Sequence, residues 1–370
     1  MPLLHELLRK YIDGSLTEAE KRTLYDLLRK GTADEALEEM IDNQFREWGK
    51  AQVHPFRWRR WLVAACLVSV LGGAAFLTWR TRNASGTVSS RYGNEVYPGG
   101  NRASLTLANG HVIDLDSAAS GLLQRQGSAV VSKQRNGQLR YATVKPSGGA
   151  LSPAGINILA TPKGGQYEVV LSDGTRVLLN AASSLQYPTA FQGQERVVLL
   201  TGEAYFQVAK DAARPFFVET ENMRVQVLGT SFDIMAYDNE PTVRTTLLEG
   251  KVREVGEGRD SLTLAPGQQA VLQRSGNRLT KEPVDTDEVV AWKEGLFLYS
   301  SRVDIPTIMR QLERWYDIDV HYEGKIPEQT FYGGIQRNFP LSKVLSILER
   351  TGVRFRIEGK EITVLDSPEK

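Results

Sequence analysis

The chain has 370 residues, with 45 Lys and Arg against 44 Asp and Glu, for a net charge of +1. That balance argues against a nucleic-acid protein defined by a broad basic surface, and the length suggests roughly two to three domains. Cys66 is the single cysteine, so no disulfide framework is possible, and any part of the chain in an oxidising compartment is held by burial and strand pairing alone.

The first sixty residues read as helices. Leu3, Leu4, Leu7, Leu8, Tyr11 and Ile12 recur at helical spacing and stop at Gly14. A capping-box sequence from Thr17 opens a second apolar face, Leu24, Leu27 and Leu28, and another from Thr32 opens a third stripe, Leu37, Met40, Ile41, Phe45 and Trp48. Three short helices make a marginal core. Residues 1–56 are therefore expected to be either a helical cap or a protein-binding module, with Leu7, Leu8, Tyr11, Leu24, Leu27 and Leu28 as candidate contact residues.

The stretch from Trp61 to Trp79 contains no charged residue and no proline. At helical rise it covers about 28 Å, the thickness of a bilayer's hydrocarbon core. Trp58, Trp61 and Trp79 lie at its ends, bracketed by Arg57, Arg59, Arg60, Arg80 and Arg82, as interfacial anchors do. A buried core helix is the other reading of such a run. Sixty residues precede it, so it does not have the placement of a cleaved signal peptide. Basic residues are more frequent before the span than after it, which predicts a cytoplasmic N-terminus and a single pass through the inner membrane over residues 57–82. Cys66 falls inside the span, as a small apolar residue or a site of palmitoylation.

Residues 83–285 read as strands. A polar linker leads to an internal repeat: GNRASLTLANGHVIDLDS from Gly100 aligns without gaps on GGQYEVVLSDGTRVLLNA from Gly164. Apolar residues fall at the same alternating places, Ala103, Leu105, Leu107, Ile113 and Leu115 against Tyr167, Val169, Leu171, Val177 and Leu179. Asn109-Gly110 and Asp173-Gly174 sit between the arms and predict two hairpins closed by type I′ turns. Asp114 and Asp116 could be an acidic pair, but Leu178 and Asn180 replace them in the second copy, so the fold does not need acid there. Further strands are expected at 196–200, 204–208, 216–220, 224–228, 232–237, 243–248 and 270–273, with a turn at Thr201-Gly202 among others. Many short strands imply a sandwich, barrel or solenoid.

Here a resemblance enters. The runs NILATPKGGQYEVVLSDGTRVLLNAASSLQYPTAF from Asn157, LLTGEAYFQVAKDAARPFFVET from Leu199, VLGTSFDIMAY from Val227, TTLLEGKVREV from Thr245 and LAPGQQAVL from Leu264 resemble successive blocks of the FecR-like anti-sigma factors. The long form found in Bacteroidetes is the nearest pattern, and the resemblance covers nearly the whole chain. Ser172, Leu178 and Asp233 depart from the commonest residues of that pattern, Pro, Trp and Asn. Some relatives cut themselves at a Gly-Thr bond aligned with Gly229-Thr230. The resemblance thus implies either attack of the Thr230 hydroxyl on the Gly229 carbonyl or a plain tight turn.

Residues 286–370 change pattern again, to β-α-β-β-α-β-β. Asp304 can cap a helix with Pro306 in its first turn and Ile305, Ile308, Met309, Leu312, Trp315 and Tyr316 along one face. Ser342 can cap a second helix that ends near Gly352. This order, with RQLERWYDIDV from Arg310, resembles the family's C-terminal domain and the short signalling domains of secretins and TonB-dependent receptors. Its exposed edges would accept a partner's strand, or the unit would simply close the end of the strand domain.

The expected architecture is a small all-α N-terminal module, one transmembrane helix, a sandwich- or solenoid-like all-β periplasmic domain and an α+β C-terminal domain. His5, His54, His111 and His321 are scattered, and no metal-ligand spacing, P-loop, nucleophile elbow or dinucleotide motif occurs; no enzyme, cofactor or metal is expected. The resemblance implies a cytoplasmic partner, an extracytoplasmic-function sigma factor; a periplasmic partner, the signalling domain of a TonB-dependent receptor; a membrane-embedded protease; and no direct contact with nucleic acid. The other class considered is an envelope-anchored glycan-binding protein, with Tyr187, Tyr205 and Trp292 as a sugar platform.

Overall fold

The computed structural model describes residues 95–143, 154–221, 223–256, 261–276 and 278–365. The candidate contact leucines with Tyr11, and the apolar stretch with Trp58, Arg59, Arg60, Trp61, Trp79 and Arg80, lie outside them. Among the described residues no helix is long and apolar enough to cross a membrane. The described residues belong to one compact unit, rich in strands with few helices.

Strand alternation drives the first part. In chain order come β1 (Gly100–Asn101), β2 (Ser104–Thr106), β3 (Val112–Asp114), β4 (Gly121–Gln126), β5 (Ala129–Lys133), β6 (Leu139–Thr143), β7 (Ile156–Thr161), β8 (Gly165–Val170), β9 (Arg176–Leu179) and β10 (Ser183–Pro188). The long β11 (Arg196–Gln207) is followed by β12 (Phe216–Glu219), β13 (Met223–Val227), β14 (Ser231–Ala236), β15 (Thr242–Glu249), β16 (Val252–Gly256), β17 (Ser261–Leu264), β18 (Gln268–Gln273) and β19 (Arg278–Pro283).

Apart from β1, which pairs in parallel with the start of β8, these strands make two sheets. Sheet I runs β3-β2-β7-β10-β11-β12-β13-β16-β17. Sheet II runs β4-β5-β6-β8-β9-β11-β14-β15-β18-β19. From β12 onward, successive hairpins are laid alternately on sheet I and sheet II, so the winding is solenoid-like while the packing is that of a sandwich. One core lies between the sheets. Leu105, Leu159, Leu185, Val198, Phe216 and Val225 from sheet I meet Val131, Leu139, Val169, Leu179, Phe206 and Phe232 from sheet II. Tyr141 and Tyr187 touch edge-on across the gap, with ring centroids 5.2 Å apart.

Two expectations are corrected. The stretch 196–208 is not two strands broken by a turn at Thr201-Gly202. It is one strand whose first half pairs with β10 and β12 and whose second half pairs with β9 and β14. Gly202, at φ +88°, is where the strand passes from one sheet to the other; a Cβ there would lie 2.7 Å from the Ser183 Cα. Nor are the repeat's turns type I′. That turn needs positive φ at both central residues, and among the described non-glycine residues only Ala182 and Asp317 have it. The Asn109 and Asp173 side chains instead accept the N–H groups of His111 and Thr175, two residues on, while Gly110 and Gly174 take the left-handed position. The result is a three-residue loop with a glycine bulge. Asn136-Gly137 forms the same loop between β5 and β6, a third occurrence whose dipeptide was legible in the sequence.

After Pro283 come α1 (Thr286–Val290) and a short 3₁₀ turn over Ala291–Glu294. The C-terminal unit then follows as β20 (Leu296–Asp304), α2 (Ile305–Tyr316), β21 (Asp319–Glu323), β22 (Thr330–Gln336), α3 (Leu341–Leu348), β23 (Arg354–Glu358) and β24 (Glu361–Leu365), the order read from the sequence. β20 pairs with β22, and β24 is flanked by β21 and β23. Asp304 caps α2 through the Thr307 N–H at 2.7 Å, and Ile305, Ile308, Met309, Leu312, Trp315 and Tyr316 are buried with Val344, Leu345 and Leu348 of α3 in a second core. Ser342 is not the cap of α3: Pro340 holds that position, and Ser342 lies within the first turn.

Candidate functional site

The outer face of sheet II carries a polar row where β11, β14, β15 and β18 run side by side: Tyr205, Asp233, Thr246 and Gln269 are aligned by strand register. Their strand neighbours Phe206, Phe232, Leu247 and Ala270 point the other way, into the sandwich. The C-terminal unit covers this row, and the joint encloses a cavity of about 160 Å³.

The strand domain brings acids to the joint and the C-terminal unit brings arginines. Glu240 accepts from Arg310 Nε and from Arg314 Nη2, both at 2.9 Å. Arg314 also lies over the Tyr237 ring, 4.0 Å from its centroid, and donates to Asn239. Arg337, 3 % exposed, donates to the Trp292 carbonyl and to Asn180 Oδ1 at 2.9 Å each and stacks 3.8 Å over Trp315. Asn180 in turn donates to Glu203 at 2.6 Å, and the Trp292 indole N–H donates to Asp233 at 3.3 Å. The polar groups thus form a chain from Asp233 through Trp292, Arg337 and Asn180 to Glu203.

Burial sets the protonation of these groups. It holds the Asp233 carboxyl well above the usual carboxylate range, with the nearby Glu203 charge adding to the effect against the Trp292 hydrogen bond. Burial also raises Glu203, opposed by the Asn180 hydrogen bond and by Arg314 and Arg337. The Arg337 guanidinium is lowered to about 10 by burial. Asp233 accepts the indole N–H as an amide oxygen would.

Gly229-Thr230 forms the turn between β13 and β14. Gly229 has φ +153°, and a Cβ there would sit 2.8 Å from the Lys210 Cα. The flanking carbonyls are held: Leu228 O accepts the Asp211 N–H and Thr230 O the Val208 N–H, both at 3.0 Å. The buried Thr230 hydroxyl donates to the Lys251 carbonyl at 3.2 Å. The 209–214 segment that braces this turn is itself anchored by Arg196. That buried side chain pairs with Asp173 at 2.7 Å and donates to the Ala209 and Arg214 carbonyls.

Among the described residues no group of three His, Cys, Asp or Glu side chains is placed to hold a metal ion. Asp114 and Asp116 lie on the surface, where Asp114 accepts the Asp116 N–H in a local turn. Tyr187 and Trp292, proposed for a sugar platform, are 1 % and 7 % exposed, and Tyr205 lies under the Lys293 ammonium. The three do not form an open face.

Residues 157–253 match the FecR protein family, and residues 298–364 match the FecR C-terminal family. Two crystal structures of candidate anti-sigma factors from Parabacteroides distasonis ATCC 8503 resemble the chain at 31 % and 32 % identity, with TM-scores of 0.53 and 0.52. The similarity covers 57 % and 56 % of this chain and 99 % and 97 % of theirs. The chain belongs to the FecR-like anti-sigma factor family. No curated protein matches it. The family is a regulatory, non-enzymatic class whose partner is a sigma factor. Within this FecR-like chain, the stretch RQLERWYDIDV covers the later part of α2 and the start of β21, and it supplies Arg310, Arg314 and Trp315 to the joint. Arg337 and Glu240 were not singled out from sequence, and Asn180 only as the counterpart of Asp116; an arginine just past the end of a strand carries no local sign that it will be buried.

Proposed function

We propose that this FecR-like chain is a single-pass inner-membrane anti-sigma factor. Residues 1–56 hold an extracytoplasmic-function sigma factor in the cytoplasm, where occupancy by this module excludes polymerase. The strand domain and C-terminal unit stand in the periplasm and receive the signalling domain of a TonB-dependent receptor. Proteolysis through the membrane then frees the sigma factor.

The observation that carries this reading is the order of parts: helical stripes, a charge-free stretch from Trp61 to Trp79, then matches to the FecR and FecR C-terminal families. The C-terminal unit also has open strand edges among its described residues. β21, β22 and β23 each pair on one side, and Tyr322 and Tyr332 are exposed on the first two, as strand addition requires.

The test is capture. Full-length chain in detergent should retain an extracytoplasmic-function sigma factor from its own cells, and a charged substitution at Leu24, Leu27 or Leu28 should abolish retention. A wild-type chain that retains no sigma factor overturns the reading. Protease added to intact spheroplasts should digest the strand-rich part and spare residues 1–56; the reverse pattern overturns the orientation.

A further inference from the structure

The described residues begin with a short strap, Glu95 to Gly99, whose first residues are fastened to the C-terminal unit rather than to the strand domain that follows. Glu95 reaches across 247 positions of sequence to the first turn of α3: one carboxylate oxygen accepts the Ser342 hydroxyl at 2.6 Å and the other the Ser342 N–H at 3.2 Å. Val96 O accepts the Leu341 N–H at 3.0 Å, and the Val96 side chain packs against the C-terminal core. The N-terminal N–H groups of a helix lack partners within it, and Pro340 offers no side-chain cap. Glu95 supplies the missing acceptor with a negative charge at the favourable end of the helix.

The other end of the strap is pinned where the two folded parts meet. A Cβ on Gly99 would lie 2.6 Å from the Gly164 carbonyl and 2.9 Å from the Trp315 ring. Gly100 donates to Gly164 O at 2.9 Å, and Gly164 donates to Arg314 O at 2.7 Å. Glu95 follows Trp79 by sixteen residues in the sequence.

We propose that the strap is a latch through which the C-terminal unit controls the segment leading to the membrane. While α3 holds Glu95, the strap from Glu95 to Gly99 is withheld from proteases. A partner that shifts the C-terminal unit frees Glu95 and Val96 and exposes the strap. The latch rests on the membrane-spanning anti-sigma reading for its consequence, but its mechanical part does not.

The experiment separates the two. Trypsin is added to the full-length chain in detergent, and the cut after Arg102, just past the strap, is timed by mass spectrometry. Glu95→Ala should speed this cut about tenfold, as loss of charge-assisted hydrogen bonds raises the open population. Because Glu95→Ala also uncaps α3, a second variant combines it with Pro340→Asp, which restores a cap from within the helix. This double variant should melt like the wild type and still be cut faster. Cutting at the wild-type rate in the double variant overturns the latch and leaves Glu95 as a helix cap. In cells, both variants should raise sigma-dependent reporter expression without the receptor's ligand. Faster cutting with an unchanged reporter overturns the control role. If wild-type chain retains no sigma factor, the anti-sigma reading falls while the trypsin comparison still decides the latch.

Discussion

Glu254 gives the sharpest test of how the sandwich is held together. It lies on β16 between Val225 of β13 and Leu262 of β17, with its side chain on the inner face and 0 % exposed. One carboxyl oxygen accepts the Thr245 hydroxyl at 3.4 Å, and the other is buried without a partner. Burial, only partly opposed by that hydrogen bond, lifts its pKa from 4.5 to about 8. The folded protein therefore keeps this proton over a range in which the unfolded chain has lost it. Stability at this site is fully present below pH 4.5, falls by about 1.4 kcal/mol per pH unit above it, and levels off near pH 8. The accumulated loss is about 4–5 kcal/mol. Glu254→Gln removes the titration while keeping an oxygen to accept from Thr245. Urea denaturation of residues 87–370 at pH 5 and pH 8.5 should find the variant near wild type at the lower pH and more stable by a few kcal/mol at the higher. Comparing the variant with wild type cancels the contributions of Asp233 and Glu203, which have the same sign. An equal difference at both pH values would refute the buried-carboxyl argument.

Arg337→Lys keeps a positive charge but cannot span the Trp292 carbonyl and Asn180 while stacking on Trp315. It should cost about 2 kcal/mol and shift Trp fluorescence to longer wavelength as the joint loosens. Asp173→Ala leaves the Arg196 guanidinium buried without its counter-ion and should cost about 3–5 kcal/mol in thermal unfolding, whereas Asp173→Asn, which can still accept the Thr175 N–H, should cost less. Gly229→Ala drives a Cβ into Lys210 at a backbone angle that side chains avoid, for a loss of about 1–3 kcal/mol. If Gly229-Thr230 cuts itself, a gel of the purified chain should show two fragments for wild type and one band for Thr230→Ala. Two intact chains would leave the site a turn.

The strands and their inward faces were legible because strand burial alternates with a period of two, a local rule written into Leu105, Leu107, Val169 and Leu171 alike. The helix cap at Asp304 and the glycine stop at Gly352 were legible for the same reason, since both act within one turn of backbone. The turn type was misjudged at Asn109 and Asp173 because dipeptide preference does not tell whether the side chain will bind the N–H two residues on and keep its own φ negative. Gly202 was misjudged because a glycine that lets a strand change sheets looks the same in sequence as one that ends a strand.

The joint and the strap lay beyond such rules. Glu240 meets Arg314 across 74 positions, Asn180 meets Arg337 across 157, and Glu95 meets Ser342 across 247. A charged residue on a strand or a loop is ordinarily solvated, and nothing in its neighbours distinguishes it from one that will be enclosed. What converts these side chains into a lock is the packing of one folded part on another, which withdraws water and leaves each group only the partner placed opposite it. Periodicity therefore settled which residues face a core, while the choice of which polar residues hold the parts together came from contacts that form after those cores exist.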